Sequence, residues 1–235
     1  MDNKEIIEKK FLKIKSIRTS SRAFQMNLKE NDIIIGLDGE FVYSSYDDFS
    51  KNINNSDKTH ILTLVRKEIL FNTFISGSLG IIAEQIDTKE TIEIDDVSLK
   101  LFFDRGIFYE DFEVYKKPNH TSILLNVTPS ILASLAPPLW MIQNRLWILL
   151  GITIIFFMSL VIISPWLFMI GWILKSWYVG NAQIDILRFF YRFNNYRLWM
   201  SFCEDSEKTA QELARKFDEK VDFDYSYLEP ATIEN

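Results

Sequence analysis

The residues Leu146-Trp-Ile-Leu-Leu-Gly-Ile-Thr-Ile-Ile-Phe-Phe-Met-Ser-Leu-Val-Ile-Ile163 form an apolar run without a single charge. At about 1.5 Å per residue such a run makes a helix about 27 Å long, close to the ~30 Å hydrocarbon thickness of a bilayer. Ser164-Pro165 interrupts it, because proline has no N–H to donate and its ring crowds the preceding turn. A second apolar limb, Trp166 to Leu174, follows and ends at Lys175, Trp177 and Tyr178. Length and absence of charge predict a membrane segment over residues 139–179 rather than a buried core helix. Working outward, Trp140, Arg145 and Trp147 are expected at headgroup level before the run, and Lys175 and Trp177 after it.

The flanking charges set a topology. Arg188, Arg192 and Arg197 follow the run, so the positive-inside rule favours a cytoplasmic C-terminal side. The start, Met1-Asp-Asn-Lys-Glu5, is charged and has no apolar h-region, which keeps the N-terminal region cytoplasmic too. Two ends on one side need an even number of crossings, yet residues 165–179 supply only about 22 Å of helix. The sequence therefore predicts an integral membrane protein with a hairpin or re-entrant element turning near Ser164-Pro165, in preference to one kinked crossing.

Composition excludes several function classes. A net charge of −6 over 235 residues argues against nucleic acid, which needs concentrated basic surface. One cysteine, Cys203, rules out an internal disulfide framework. His60, His120 and Cys203 do not make a metal set, and no serine stands at readable spacing from a histidine. Phosphate-loop and dinucleotide fingerprints are missing. Asp95, Asp96, Asp104, Glu110 and Asp111 lack the alternating ligands and glycine of a calcium loop and read as solvated acidic turns. The expectation is no enzyme, no cofactor, no metal and no small-molecule substrate.

The first third of the chain alternates like a sheet. Phe11 to Ile17 has the period of a half-buried strand, and a short helical turn is expected at Arg22 to Met26. Ile33 to Ile35, then Asp38-Gly39 and Phe41 to Tyr43, read as a hairpin. A helix from Tyr46 to Ile53 places Tyr46, Phe49 and Ile53 on one face. Ile61 to Val65 and Ile69 to Ile75 are two further strands, and Ile81 to Ile86 follows Ser76-Gly-Ser-Leu-Gly80.

Ser21-Arg-Ala-Phe-Gln-Met-Asn-Leu-Lys-Glu-Asn-Asp-Ile-Ile-Ile-Gly-Leu-Asp-Gly-Glu-Phe-Val42 resembles the central stretch of PDZ domains, with Asn27 and Asn31 in place of two glycines. Asparagine tolerates positive φ, so the turns survive the change. The glycine loop comes after the last strand, an order similar to the permuted PDZ domains of the Golgi reassembly and stacking proteins. The resemblance implies an α+β fold over residues 9–86: a permuted, PDZ-like small β-barrel or sandwich with one or two helices, followed by a helical membrane-embedded region. It implies a peptide groove made by Gly77, Ser78, Leu79, Gly80, Ile81 and Ile82 with Tyr46, Phe49 and Ile53. Glycines let successive N–H groups converge on a carboxylate, and an extended peptide adds to the adjoining strand. A loop that only turns the chain, with the groove filled by the protein itself, is the alternative.

Beyond this region, residues 87–138 read as a connection with possible extra strands, including Ile92 to Val97 and Leu101 to Phe103. In residues 180–220, Ile184, Leu187 and Tyr191 recur at helical spacing with Arg188 and Arg192 on another face, as in a helix on lipid headgroups. Leu198 and Trp199 extend that aromatic segment. Ser206 starts a helix from Glu207 to Lys220, and residues 221–235 read as an acidic tail. The function expected is an adaptor docking partner proteins or C-terminal peptides at a cytoplasmic membrane face, with membrane proteins and the lipid bilayer as partners. The alternative is an accessory structural subunit of a larger membrane complex.

Overall fold

The computed structural model describes residues 10–42, 45–54, 58–87 and 109–230. It divides into two compact units, one of residues 1–126 with 196–235 and one of residues 127–195.

The first unit is built on one sheet. Its strands are β1 (Lys10–Ile17), β2 (Ile33–Leu37), β3 (Glu40–Phe41), β4 (His60–Arg66), β5 (Ile69–Ile75), β6 (Ile81–Asp87), β7 (Glu110–Lys116), β8 (Thr121–Asn126), β9 (Arg197–Glu204) and β10 (Asp222–Phe223). The order across the sheet is β10-β8-β7-β9-β5-β4-β2-β1-β6, with β3 paired to β2. All pairings are antiparallel except β10 with β8. The helices are α1 (Arg22–Gln25), α2 (Tyr46–Asn54) and, late in the chain, α7 (Glu207–Phe217).

Local chemistry explains these elements. The Ser21 hydroxyl accepts from Phe24 N–H and caps α1. Asn27 and Asn31 hold φ of +56° and +73°, the left-handed turns that the sequence assigns to them. Ser206 and Thr209 form a reciprocal capping box at the start of α7, whose Ala210, Leu213 and Ala214 stripe is buried. The core gathers Leu12, Ile14, Ile34, Leu64, Phe71, Phe112 and Phe202 with that stripe. Phe71 meets Phe217 edge-on with ring centroids 5.7 Å apart.

The small β-barrel or sandwich implied by the resemblance is corrected. The protein is a mixed α/β fold with, among the described residues, a 10-stranded sheet and seven helices. The sheet fails to close because β5 continues it: Asn72 pairs with Cys203 of β9, which carries β7, β8 and β10 onward. Arg197–Glu204 is therefore a strand, not an extension of an interfacial helix. Asp222–Phe223 is likewise a strand within the region read as tail. The acidic and aromatic segments at 92–97 and 101–104 lie outside the described residues.

The second unit is helical: α3 (Ile131–Leu135), α4 (Pro137–Gln143), α5 (Trp147–Ile163) and α6 (Pro165–Phe193). The apolar run turns back on itself at Ser164, whose ψ of 135° is extended, and Pro165 opens the next helix, where its missing N–H costs nothing. Phe157 then lies 5.2 Å from the Trp172 ring and 5.5 Å from the Phe168 ring, locking α5 against α6. No described helix is long and apolar enough to cross a membrane. The expectations of a transmembrane segment and of an integral membrane protein with both ends cytoplasmic are overturned by that finding. The physical reason is visible: Ser164-Pro165 ends α5 after 17 residues, and α6 soon acquires Lys175, Asp185, Arg188 and Arg192. Mean hydropathy over the run records composition; it does not record where a helix ends.

Candidate functional site

Among the described residues, strand β6 pairs on one side only, with β1, from Lys10↔Asp87 to Ile17↔Ile81. Helix α2 lies beside it, and the Tyr46 hydroxyl donates to the Ile81 carbonyl at 2.7 Å. The loop that enters β6 holds Gly77 at φ +68° and Gly80 at φ +65°. Two of its carbonyls are engaged: Leu79 O accepts from Ala23 N–H and Gly80 O from Arg18 N–H, both at 3.1 Å. Its N–H groups are not. Among the described residues no acceptor takes the backbone N–H of Gly77, Ser78, Leu79 or Gly80. Successive unengaged N–H groups bracketed by left-handed glycines are the geometry of an anion-holding backbone concavity.

The predicted groove residues thus come together, but with different roles. Phe49, Ile53, Leu79 and Ile81 are buried and belong to the core. Ile82 is half exposed on the strand, and Ser78 is exposed. Between α2 and the loop, Tyr46, Phe49, Ser50, Ile53, Asn54, Ser78 and Leu79 enclose only about 10 Å³. That is room for about one water. Ile81, expected to line a side-chain pocket, instead packs inward, and Leu79 fills the space beside α2. Burial pushes the Tyr46 phenol above its ordinary value, opposed by the charge of Arg18.

Two residues that the motif reading missed stand at the loop. The Arg22 guanidinium donates to Ser76 O at 2.7 Å, and Arg18 precedes α1 with its N–H on Gly80 O. Arg22 brings its guanidinium to the loop, and the charge of Arg18 acts on Tyr46 beside it. Arg22 lies inside the quoted PDZ-like stretch, and its offset from Ser21 was the one available signal.

The residues assigned to a membrane interface are scattered. Trp140 is 2% exposed, a core residue of the helical unit. Trp147 and Trp177 are exposed, and Arg145 sits at φ +55° between α4 and α5. Lys175 is half-buried and donates to Thr153 Oγ1 at 2.7 Å. Arg188 lies 3.5 Å from Asp185, and Arg192 is in the last turn of α6. No group of three or more potential metal ligands occurs among the described residues. Cys203 is buried, and burial, with Asp111 and Glu204 nearby, pushes its thiol far above the ordinary range, where it is inert as a nucleophile. No family model matches the chain, and no curated protein matches it in sequence.

Proposed function

We propose that the chain is a docking adaptor which captures the extended C-terminal segment of a partner protein along β6, the terminal carboxylate resting on the Gly77–Ile81 backbone. The observation that carries this reading is the row of N–H groups without an acceptor among the described residues, beside a strand whose outer edge no described strand covers. Main-chain hydrogen bonds to β6 would supply affinity without sequence demands, and Arg18 and Arg22 favour an anionic chain end. The sequential order of strand, helix and glycine loop supports a permuted PDZ-like arrangement as the frame for it. No catalytic step is invoked; the chemistry is recognition.

A second reading has its own support. Leu79 fills the side-chain space and the Tyr46 hydroxyl occupies the Ile81 carbonyl, which is what an inert groove in an accessory subunit would show. Fluorescence polarisation against a library of peptides with free C-termini, each matched by its amidated form, separates the two. The adaptor requires micromolar ligands that lose at least tenfold on amidation, since a hydrogen bond to a charged group contributes about 1.5–3 kcal/mol. Absence of any ligand, or indifference to amidation, leaves the subunit reading.

A further inference from the structure

The helical unit carries an apolar groove of about 1010 Å³ along α5 and α6. That size lies at the upper end of the ~300–1,000 Å³ common for small-molecule sites. Leu146, Ile152 and Phe156 form one wall, and Leu174, Ile186 and Phe190 the other. Along α6 the lining runs from Gly171 to Asn194, about 35 Å of helix.

Its charged groups are few. Arg145, Lys175 and Asp185 reach the lining, and Asp185 has Arg188 at 3.5 Å. Lys175 is different. Its ammonium donates to Thr153 Oγ1, whose own hydrogen goes to Leu149 O at 2.7 Å, so Thr153 serves it only as an acceptor. The Phe156 and Phe157 rings lie 5.8 and 5.9 Å from the nitrogen. No carboxylate among the described residues pairs with it. An ammonium with three donors thus has one protein acceptor, set in an apolar groove. Burial holds its pKa below the ordinary lysine value, with no anion to offset the cost.

We infer that this groove binds a free long-chain fatty acid, the carboxylate on Lys175 Nζ and the acyl chain along the apolar walls of α5 and α6. The charge chooses the head: an ammonium with no carboxylate partner among the described residues, set in apolar surroundings, is completed by one anionic group. The groove's length and lining choose the tail, because each methylene removed from water adds to affinity. A polar anion such as inorganic phosphate would match Lys175 and waste the walls.

The test is displacement of a fluorescent fatty-acid analogue from the full chain by palmitate or by hexadecanol. Palmitate should bind at least tenfold more tightly than the alcohol. Lys175→Met should bring that ratio close to one by weakening palmitate alone, and Lys175→Arg should preserve it. Alcohol binding reports that each variant is folded. Ala182→Trp narrows the groove without touching Lys175 and should weaken both ligands alike, by about tenfold. Equal affinity for acid and alcohol in the wild type overturns the inference, as does a preference that survives Lys175→Met. So does unchanged binding in Ala182→Trp, or uptake of the acid only when it is presented in phosphatidylcholine vesicles.

Discussion

A Cβ added to Gly80 would lie 2.5 Å from Ser21 Cβ, whereas one added to Gly77 would meet nothing within 4 Å, although both residues are left-handed. The two glycines of the loop therefore answer to different constraints. Gly77→Ala should cost about 1–2 kcal/mol, the left-handed penalty for a residue with a Cβ. Gly80→Ala adds overpacking of about 1–3 kcal/mol against the α1 cap. Urea unfolding of the two variants should show Gly80→Ala as the less stable by at least 1 kcal/mol; equal midpoints would mean the loop relaxes away from Ser21. Asp32 supplies a second residue-scale case. It is 1% exposed and accepts Arg66 Nε and Nη2 at 2.7 Å each, with Lys29 N–H at 2.8 Å. Removing Arg66 strands a buried carboxylate, so Arg66→Met should destabilise by about 3–5 kcal/mol. Pairing it with Asp32→Asn should recover part of that loss in the same denaturation assay.

At the scale of elements, the contact of α2 with β6 sets whether a peptide can be added. The Tyr46 hydroxyl takes one lone pair of Ile81 O and so competes with an incoming strand for that carbonyl. Tyr46→Phe frees the acceptor at little cost in packing, and should tighten binding of a C-terminal peptide several-fold; weaker binding would show that the hydroxyl helps to hold the ligand. The end of α7 gives a pH-dependent contact. Burial acts to raise the Asp218 carboxyl, but hydrogen bonds from the Lys116 ammonium and Lys220 N–H, with the charges of Lys116 and His120, hold it below its ordinary value. A carboxyl so depressed stabilises the fold at higher pH and loses that contribution as pH falls through its folded value. Melting temperature should therefore drop below about pH 4, and Asp218→Asn should lower it at neutral pH while flattening the acid side. Much of β1 to β6 was legible in the sequence because alternation, caps and left-handed asparagines are local signals. The β5–β9 junction was not, since Asn72 and Cys203 meet only through tertiary pairing, and the helical spacing of Ile184, Leu187 and Tyr191 runs almost into Arg197. The loop glycines could be read, but not the filling of the groove by Leu79 or the capping of Ile81 by Tyr46, which depend on how α2 lies against β6. Hydropathy alone promoted Leu146 to Ile163 to a membrane segment, whereas Ser164-Pro165 and the Phe157–Trp172 stack turn the run into a helical hairpin.

For the whole molecule, the decisive fact is that residues 127–195 interrupt a sheet whose core, among the described residues, does not include them. Every buried residue of the two sheet clusters, from Phe11 to Phe223, belongs to the first unit. The sheet should then fold when the insertion is replaced by a linker of suitable reach. Asn126 is level with Phe112 of β7, and Arg197 is level with Lys116 of the same strand. Four residues along β7 amount to about 14 Å, and two strand spacings to about 10 Å, so the gap is roughly 17 Å. A ten-residue Gly/Ser chain has a root-mean-square span of about 17 Å, so it can bridge Asn126 to Tyr196 without strain. Closing so short a loop adds little entropic cost. The shortened chain should show one cooperative melting transition with near-ultraviolet circular dichroism retained. It should keep any peptide binding at β6 and lose fatty-acid binding altogether, because Lys175 and its groove are gone. A shortened chain that folds but no longer binds peptide would place part of that site in the insertion. One that folds and still takes up palmitate would move the fatty-acid site away from α5 and α6.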